Sequence, residues 1–142
     1  MGCEIMLYER KAYYHETDQM GVVHHANYFK WLEEARIYFL DKIGLNYNDL
    51  EKRGIISPVV SISAKYIKPV LFDDVVLIDL KVTKYTGVRF EIEYDVIDKK
   101  TNEIRAKAKS EHCLIRNGQI LRIKNDEPKI DDIFKKYIES NK

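Results

Sequence analysis

The sequence lacks the features that mark several large classes of protein. It has only two cysteines, Cys3 and Cys113, which are too few for a disulfide framework and show no metal-ligand spacing. No apolar run reaches the roughly 18 residues that a membrane-spanning helix needs. The first residues, Met1 to Met6, lack the charged and apolar regions of a signal peptide. We therefore expect a cytoplasmic protein with reduced thiols and no membrane span.

An excess of charge of one sign is also missing. The chain has 24 lysines and arginines against 23 acidic residues, a formal net charge of +1. Such a balance gives no sequence-wide attraction to nucleic acid, and no nucleic-acid partner is expected. Repeats, low-complexity tracts and linkers rich in proline, glycine or serine are absent as well. A single domain over residues 1–142 is the simplest prediction.

A long apolar helix is predicted from Asn27 to Ile43. Its apolar residues recur at helical spacing and extend well beyond a single face, so we expect the helix to be enclosed on several sides. Asn27 is predicted to be the N-cap, and Gly44 is placed to end the helix in the left-handed conformation. A second, short helix is predicted over Tyr47–Lys52 with Asn46 as its cap.

Alternation of period two predicts a series of strands. An initial strand, residues 5–13, precedes the long helix, and the others follow the second helix at residues 59–67, 75–85, 90–96, 104–115 and 119–123. Thr86-Gly87 and Asn117-Gly118 are predicted as hairpin turns. A polar helix is predicted from Asp131 to Glu139. Short connections favour an antiparallel meander, and the long helix is the only apolar element for it to wrap. The predicted class is α+β, a sheet curled around a central helix.

The polar turn ahead of the long helix carries the chemically informative residues. It holds a carboxylate, Asp18, and a glycine, Gly21. A carboxylate just before a helix N-terminus faces backbone N–H groups that lack intrahelical partners and can stabilise a developing oxyanion. A nucleophile or base together with an oxyanion site is the minimum for acyl transfer, and a thioester needs no metal. The turn therefore predicts a thioester hydrolase without a cofactor.

The same residues have ordinary structural interpretations. Most loop aspartates make an Asx-turn or cap a helix, as Asp18 could. Gly21 could be required only for a positive backbone angle. The imidazole of His25 could simply pack locally, and an aromatic stripe that includes Tyr28 and Trp31 is usually core. The four histidines show no pair at i,i+4 spacing, so no metal site is expected.

Two stretches resemble a known family. The run Tyr-x-Glu-Thr-Asp-x-x-Gly-Val-Val-x-His-Ala-Asn-Tyr from Tyr14, followed by Glu34-Ala35-Arg36, resembles the 4-hydroxybenzoyl-CoA thioesterase family of the hotdog fold. Within that family it is most similar to the acyl-CoA thioesterases encoded with the bacterial Tol–Pal system. The stretch from Tyr66 to Asp74 matches the family's pattern of strand, proline break and paired acids. The resemblance implies a hotdog fold, a curved antiparallel sheet wrapped around a central long helix.

The resemblance also implies roles for individual residues. Asp18 falls on the catalytic carboxylate, acting as nucleophile or as general base on water, and the backbone N–H of His25 falls on the group that polarises the thioester carbonyl. The implied substrate is acyl-CoA with a short, medium or aromatic acyl group. From the residues themselves, Tyr28 is a candidate for the acyl channel, and Lys65, Lys68 and Arg89 are candidates for the coenzyme A phosphates. The alternative for the basic residues is a solvated strand face, which is the usual place of lysines on strands.

Oligomeric state and activity class are further expectations from the resemblance. It implies a homodimer, or a homotetramer built as a dimer of dimers, with active sites at the subunit interface. A non-catalytic hotdog module that binds acyl-CoA as a sensor or scaffold is the alternative hypothesis. A hydratase on the same fold ranks last, because such enzymes place a histidine ahead of a Pro-Gly turn and no His-x-Pro-Gly run exists here.

Overall fold

A five-stranded sheet and one long helix form the centre of the fold. The computed structural model describes residues 7–140, so Cys3 and the start of the predicted first strand, Ile5 and Met6, lie outside the described residues. The elements are β1 (Leu7–Lys11), α1 (His25–Lys42), α2 (Tyr47–Lys52), β2 (Ile55–Ile56), β3 (Val59–Tyr66), β4 (Val75–Tyr85), β5 (Arg89–Asp98), β6 (Ile104–Cys113), β7 (Ile115–Arg116), β8 (Gln119–Ile120), α3 (Ile123–Asp126) and α4 (Pro128–Ser140). One 3-10 turn, Tyr14–Glu16, lies between β1 and α1.

The main sheet is antiparallel throughout, in the order β1-β4-β5-β6-β3. On β4 every second residue is buried, as the alternation predicts: Val76, Ile78, Leu80 and Val82. β5 buries its apolar residues in the same way. A small second sheet joins β2, β7 and β8. The α+β class and the antiparallel pairing are thus confirmed.

The position of β3 differs from the predicted meander. This strand does not lie beside β4, its successor in the chain, but pairs with β6 at the opposite edge of the sheet. The burial pattern explains the difference. β4 and β5 each have one buried face and suit the interior of the sheet, whereas most residues of β3 are exposed. The simple meander was therefore wrong for this strand.

The long helix α1 begins two residues earlier than predicted. His24 is its N-cap, and the Nδ1 atom of His24 accepts a hydrogen bond from the backbone N–H of Ala26 at 3.2 Å. The prediction of Asn27 as N-cap was wrong, because the imidazole satisfies the helix start instead. At the other end Gly44 has φ +97°, as predicted for a left-handed helix stop. Helix α2 has the predicted bounds, and Asn46 Oδ1 accepts from the N–H of Asp49.

One stripe of α1 forms the core against the sheet. The buried residues are spaced at i, i+3 and i+4, which is the pattern of a single helix face: Tyr28, Trp31, Leu32, Ala35, Arg36, Phe39 and Leu40. Phe29 and Tyr38 on the remaining surface are more than one-third exposed. The helix is therefore not enclosed on several sides within the described chain, and that prediction was wrong. The core assignment of the aromatic stripe, in contrast, is confirmed for Tyr28, Trp31 and Phe39.

The C-terminal third departs from its predicted boundaries. β6 ends at Cys113 rather than at residue 115, and the strand after the hairpin ends at Ile120, since a helical turn begins at Ile123. Asn117 and Gly118 both have positive φ, which confirms the predicted hairpin turn. Helix α4 begins at Pro128, where a proline is well accommodated, rather than at Asp131. None of the helices within residues 7–140 has the length and apolarity needed to cross a membrane.

Candidate functional site

Asp18 organises the turn that precedes α1. Its backbone N–H donates to the carbonyl of Val22 at 2.8 Å, and its own carbonyl accepts from Gly21 at 3.0 Å. Its carboxylate oxygen Oδ1 accepts from the N–H groups of Met20 at 2.8 Å and Val22 at 3.1 Å. The structural role expected of a loop aspartate is therefore present. The side chain is exposed, and both of these N–H groups donate to Oδ1 rather than to the second oxygen, Oδ2.

Gly21 is required by the backbone angle of this turn. Its φ is +74°, a conformation that residues with a side chain adopt with strain. A Cβ atom built on it would meet no heavy atom within 4 Å. Of the two sequence interpretations, the need for a positive backbone angle is the one that this structure displays. The other interpretation, close approach of the substrate to Gly21, concerns the bound state and remains a prediction.

Two backbone contacts hold the turn against the start of α1. Thr17 and Val23 form an antiparallel bridge, and the N–H of His24 donates to the carbonyl of Glu16 at 2.9 Å. His25 is the first residue of α1, so its N–H has no intrahelical acceptor. Within this antiparallel turn Asp18 pairs with Val22, and Val22 is three residues before His25. The turn that carries the carboxylate is therefore attached directly to the N-terminus of α1.

A cavity of about 190 Å³ opens at the N-terminus of α1. Its wall brings together three of the predicted site residues, His25, Tyr28 and Lys68. The remaining lining residues are Val22, Val23, Tyr66, Ile67 and Pro69. Asp18 lies next to this cavity through its bond to Val22 and is not itself part of the wall.

Aromatic packing fixes the shape of this cavity. The imidazole of His25 stacks on the ring of Tyr66, with centroids 4.1 Å apart and planes 7° from parallel. Tyr28 packs against the same tyrosine at 5.1 Å. Burial raises the pKa of Tyr28, so its hydroxyl stays neutral and can serve only as a hydrogen-bonding group. In this structure the side chain of His25 packs locally against Tyr66. The sequence did not predict Tyr66 as a residue of the site.

The three predicted cationic residues lie in different places. Lys68 Nζ is 2.6 Å from a carboxylate oxygen of Glu103 at the mouth of the cavity. Lys65 is exposed on β3 opposite Lys107 of β6. Arg89 is opposite Cys113, six residues further along β6, which corresponds to about 20 Å. The chain therefore places Lys68 on the cavity wall and Lys65 next to the lining residue Tyr66 on β3, and it does not bring Arg89 to the cavity.

A second polar cluster is buried between α1 and the sheet. His112 Nε2 is 2.6 Å from the hydroxyl of Ser110, and its Nδ1 is 3.4 Å from the guanidinium of Arg36. Ser110 also contacts the hydroxyl of Tyr94 at 2.7 Å. Burial, with the nearby Arg36 charge, lowers the pKa of His112 to about 4. A serine beside a neutral histidine resembles a nucleophile–base pair, but both are sealed from solvent, so the cluster is a structural one.

The described part of the chain offers no evident metal site. Among residues 7–140 there is no group of three or more histidine, cysteine, aspartate or glutamate side chains placed to hold an ion.

Comparison with known proteins identifies the family. Residues 14–134 match the thioesterase-like superfamily. YneP of Bacillus subtilis, named as a candidate acyl-CoA thioesterase, is 36% identical over 107 residues, which cover 75% of this chain and 77% of that protein. The 1,4-dihydroxy-2-naphthoyl-CoA hydrolase of Microcystis aeruginosa is 30% identical over 112 residues, covering 78% of this chain and 79% of the relative.

Solved structures show the same relationship. The DHNA-CoA thioesterase of Staphylococcus aureus superposes with a TM-score of 0.89 at 32% identity, covering 95% of this chain and 91% of that one. The expected hotdog arrangement is thereby confirmed. The chain belongs to the thioesterase-like superfamily and is a thioester hydrolase.

Proposed function

We propose that this chain hydrolyses the thioester of acyl-CoA with Asp18 as its reactive carboxylate. One observation carries the proposal: the Asp18 turn is held directly against the start of α1, beside the cavity lined by His25, Tyr28 and Lys68. Oδ1 of Asp18 is held by two backbone N–H groups, which fixes the plane of the carboxylate and leaves Oδ2 to react. The names of YneP and of the naphthoyl-CoA hydrolase support the same activity.

The proposed reaction has two routes. In the first, Asp18 takes a proton from water, whose oxygen attacks the thioester carbon. In the second, Oδ2 itself attacks and forms a mixed anhydride, which water then hydrolyses. In both, the carbonyl oxygen becomes an oxyanion opposite the backbone N–H of His25 and the carbon–sulfur bond breaks. The leaving thiolate takes the proton that Asp18 removed from water in the first route, and a proton from solvent water in the second. A single turnover in heavy-oxygen water detects the second route when water attacks the aspartyl carbonyl of the anhydride, because label then enters Asp18, whereas the first route puts label only into the released acid.

The acyl group in this proposal is apolar, with aromatic acyl groups favoured over short or medium chains. Tyr14 is 77% exposed and Phe72 49% exposed, and their rings meet edge to face at 5.6 Å. Both flank the Asp18 turn, since the N–H of Phe72 donates to the carbonyl of Gly21 at 2.9 Å. Aromatic acyl groups also agree with the naphthoyl-CoA relatives. Lys65 and Lys68 are proposed to bind the coenzyme A phosphates.

We further propose that the functional unit is a homodimer, or a homotetramer made of two dimers. β3 is an edge strand whose Val60 and Ile62 are exposed, a surface that invites pairing with another strand. A cavity of about 190 Å³ is also smaller than the roughly 300–1,000 Å³ of most ligand pockets. A second protomer would complete it and could supply Arg89. Light scattering on the wild type and on Ile62→Lys tests this, and a monomeric wild type contradicts it.

The finer family placement is also a proposal. The motif from Tyr14 to Tyr28 supports the 4-hydroxybenzoyl-CoA thioesterase branch, near the enzymes encoded with the Tol–Pal system. One hotdog domain over residues 1–142 and a cytoplasmic location are proposed with it.

Release of free thiol from a panel of acyl-CoA substrates tests the activity. Asp18→Asn should lower kcat by about 10²–10⁴-fold, the range for removal of a general base, while the protein stays folded. Asp132→Asn, an exposed carboxylate on α4, is the matched control and should leave kcat unchanged. Full activity of Asp18→Asn would remove Asp18 from the mechanism. Saturable acyl-CoA binding without thiol release would favour the non-catalytic binding module.

A further inference from the structure

Glu16 is a buried carboxylate two residues before Asp18, and the proposed chemistry does not use it. Its side chain is only 2% exposed. Oε1 accepts from the N–H of Tyr13 at 2.9 Å and from Arg10 at 3.0 Å. Oε2 accepts from Arg10 at 2.8 Å and from the indole N–H of Trp31 at 2.9 Å. One carboxylate thus joins β1, the 3-10 turn and the buried face of α1.

The main chain of Glu16 makes the same connection from the other side. Its carbonyl accepts two hydrogen bonds at 2.9 Å, one from the N–H of His24 and one from the side-chain amide of Asn27. His24 is the N-cap of α1, and Asn27 lies in its first turn. Both ends of Glu16 therefore hold the Asp18 turn to the start of α1. We call Glu16 and its partners Arg10, Tyr13, Asn27 and Trp31 the Glu16 network.

The network keeps Glu16 ionised inside the protein. Burial by itself would raise the pKa of this carboxyl group, but the hydrogen bonds from Tyr13, Trp31 and Arg10 outweigh it and lower the pKa below its usual range. A charged carboxylate with four donors is a rigid connection, because each donor would be left unsatisfied if the group rotated away. Rigidity of this kind is what a reacting group needs from the residues behind it.

We propose that Glu16 is a positioning residue, which sets the orientation of the Asp18 carboxylate relative to the N-terminus of α1. The proposal rests on the proposed function of Asp18. Only Thr17 separates the two acidic residues, and Thr17 is itself bridged to Val23. A shift of Glu16 must therefore move the Asp18 turn against the helix start. A displacement of about 1 Å in such a group can lower a rate by about 10²-fold.

Glu16→Gln is the primary test because it keeps the shape of the side chain. Each oxygen of Glu16 accepts from two donors, so the amide NH₂ of glutamine must face two donors in either orientation. We expect kcat to fall by about 10²-fold with KM for acyl-CoA within about threefold of wild type. Glu34→Gln is the matched control: Glu34 binds the same Arg10 at 2.9 Å, but it is 38% exposed and makes no bond to the turn. Its kcat should match wild type.

A second variant covers the case in which Glu16→Gln does not fold. Asn27→Ala removes only the side-chain bond to the Glu16 carbonyl and leaves the buried carboxylate intact. Asn27→Ala should also lower kcat and should leave KM unchanged. Asn46→Ala is its control, since Asn46 caps α2 away from the site and should affect stability alone. Two folded variants with wild-type kcat would overturn the proposal.

A double-mutant cycle with Asp18→Asn separates positioning from partial unfolding. If Glu16 acts through Asp18, Glu16→Gln should not lower the residual rate of Asp18→Asn further. If Glu16→Gln merely reduces the folded fraction, it should lower both rates by the same factor, and the positioning role is then refuted. The two proposals fail differently: an active Asp18→Asn refutes the role of Asp18, whereas an inactive Asp18→Asn with a fully active Glu16→Gln refutes only the role of Glu16.

Discussion

The buried histidine between α1 and the sheet makes the stability of this fold dependent on pH. His112 is 1% exposed and has its two ring nitrogens next to Ser110 and Arg36. A proton on the ring would place a second positive charge beside the Arg36 guanidinium without access to water. Burial and the Arg36 charge together lower the pKa of His112 from 6.5 to about 4. Mild acidification should therefore destabilise the folded protein.

The sign and size of the effect follow from the two pKa values. Between pH 6.5 and about 4 the unfolded chain binds a proton at His112 that the folded protein does not, so acid favours unfolding. The contribution is fully present above pH 6.5 and is lost as the pH falls toward 4. At about 1.4 kcal/mol per unit of pKa difference, the total is about 3 kcal/mol. Between pH 6.5 and 5 the loss is about 2 kcal/mol, a large part of a typical folding free energy.

Urea unfolding at pH 7 and pH 5 measures this loss. His112→Gln keeps a polar side chain between Ser110 and Arg36 but cannot titrate. The wild type should lose about 2 kcal/mol of unfolding free energy between the two pH values, and the variant should lose much less. Carboxyl groups whose pKa is lowered in the folded protein, such as those of Glu16 and Asp98, destabilise it only when the pH falls below their ordinary pKa values. They therefore contribute little to the change between pH 7 and pH 5. Protein concentration must be fixed, since oligomerisation also stabilises. Equal losses in both proteins would refute the assignment to His112.

Two further predictions concern the turn and the phosphate contacts. Gly21 and Gly118 have φ of +74° and +76°, and both have open space around them. Replacing either by alanine should lower the unfolding free energy measured in urea by about 1–2 kcal/mol. Only Gly21→Ala should also lower kcat. Equal kcat values for the two variants would show that Gly21 has no role in the reaction beyond stability. Lys68→Ala should raise KM for acyl-CoA about fivefold at low salt, the equivalent of about 1 kcal/mol for an exposed ion pair, and Arg89→Ala should raise it less. Steady-state kinetics at two salt concentrations measure this, and a larger effect of Arg89→Ala would place the phosphates at the other end of the sheet.

Local patterns in the sequence predicted the parts of the fold that local forces determine. The alternation along β4 predicted its bounds and its buried face, and Asn46 with its following residues predicted all of α2. Asn117-Gly118 predicted a hairpin because both positions need a positive φ. In each case the information lies within about ten residues of the chain, so no tertiary contact was needed to read it.

Contacts between distant residues account for what the sequence did not predict. β3 lies at an edge of the sheet beside β6 rather than beside β4, because most of its residues are exposed, whereas β4 and β5 each bury one face in the interior. Arg36 is a charged residue of α1 and yet is buried, because its guanidinium group has hydrogen-bond partners in Ser57 and His112, which lie outside the helix. The helix start at His25 depends on an imidazole acting as the cap, a role usually taken by shorter polar side chains.

The candidate site lies between these two cases. Asp18, Gly21 and His25 lie within eight residues of one another, so the sequence could predict that they share one turn and one helix start. It could not predict what holds that turn in place, because Glu16 is fixed by Arg10 on β1 and by Trp31 inside α1. A motif therefore shows which groups are near each other, whereas the distant donors to Glu16 determine their relative orientation. Since the rate of acyl transfer depends both on the presence of these groups and on their relative orientation, variants of Asp18 and of the Glu16 network should separate the two contributions.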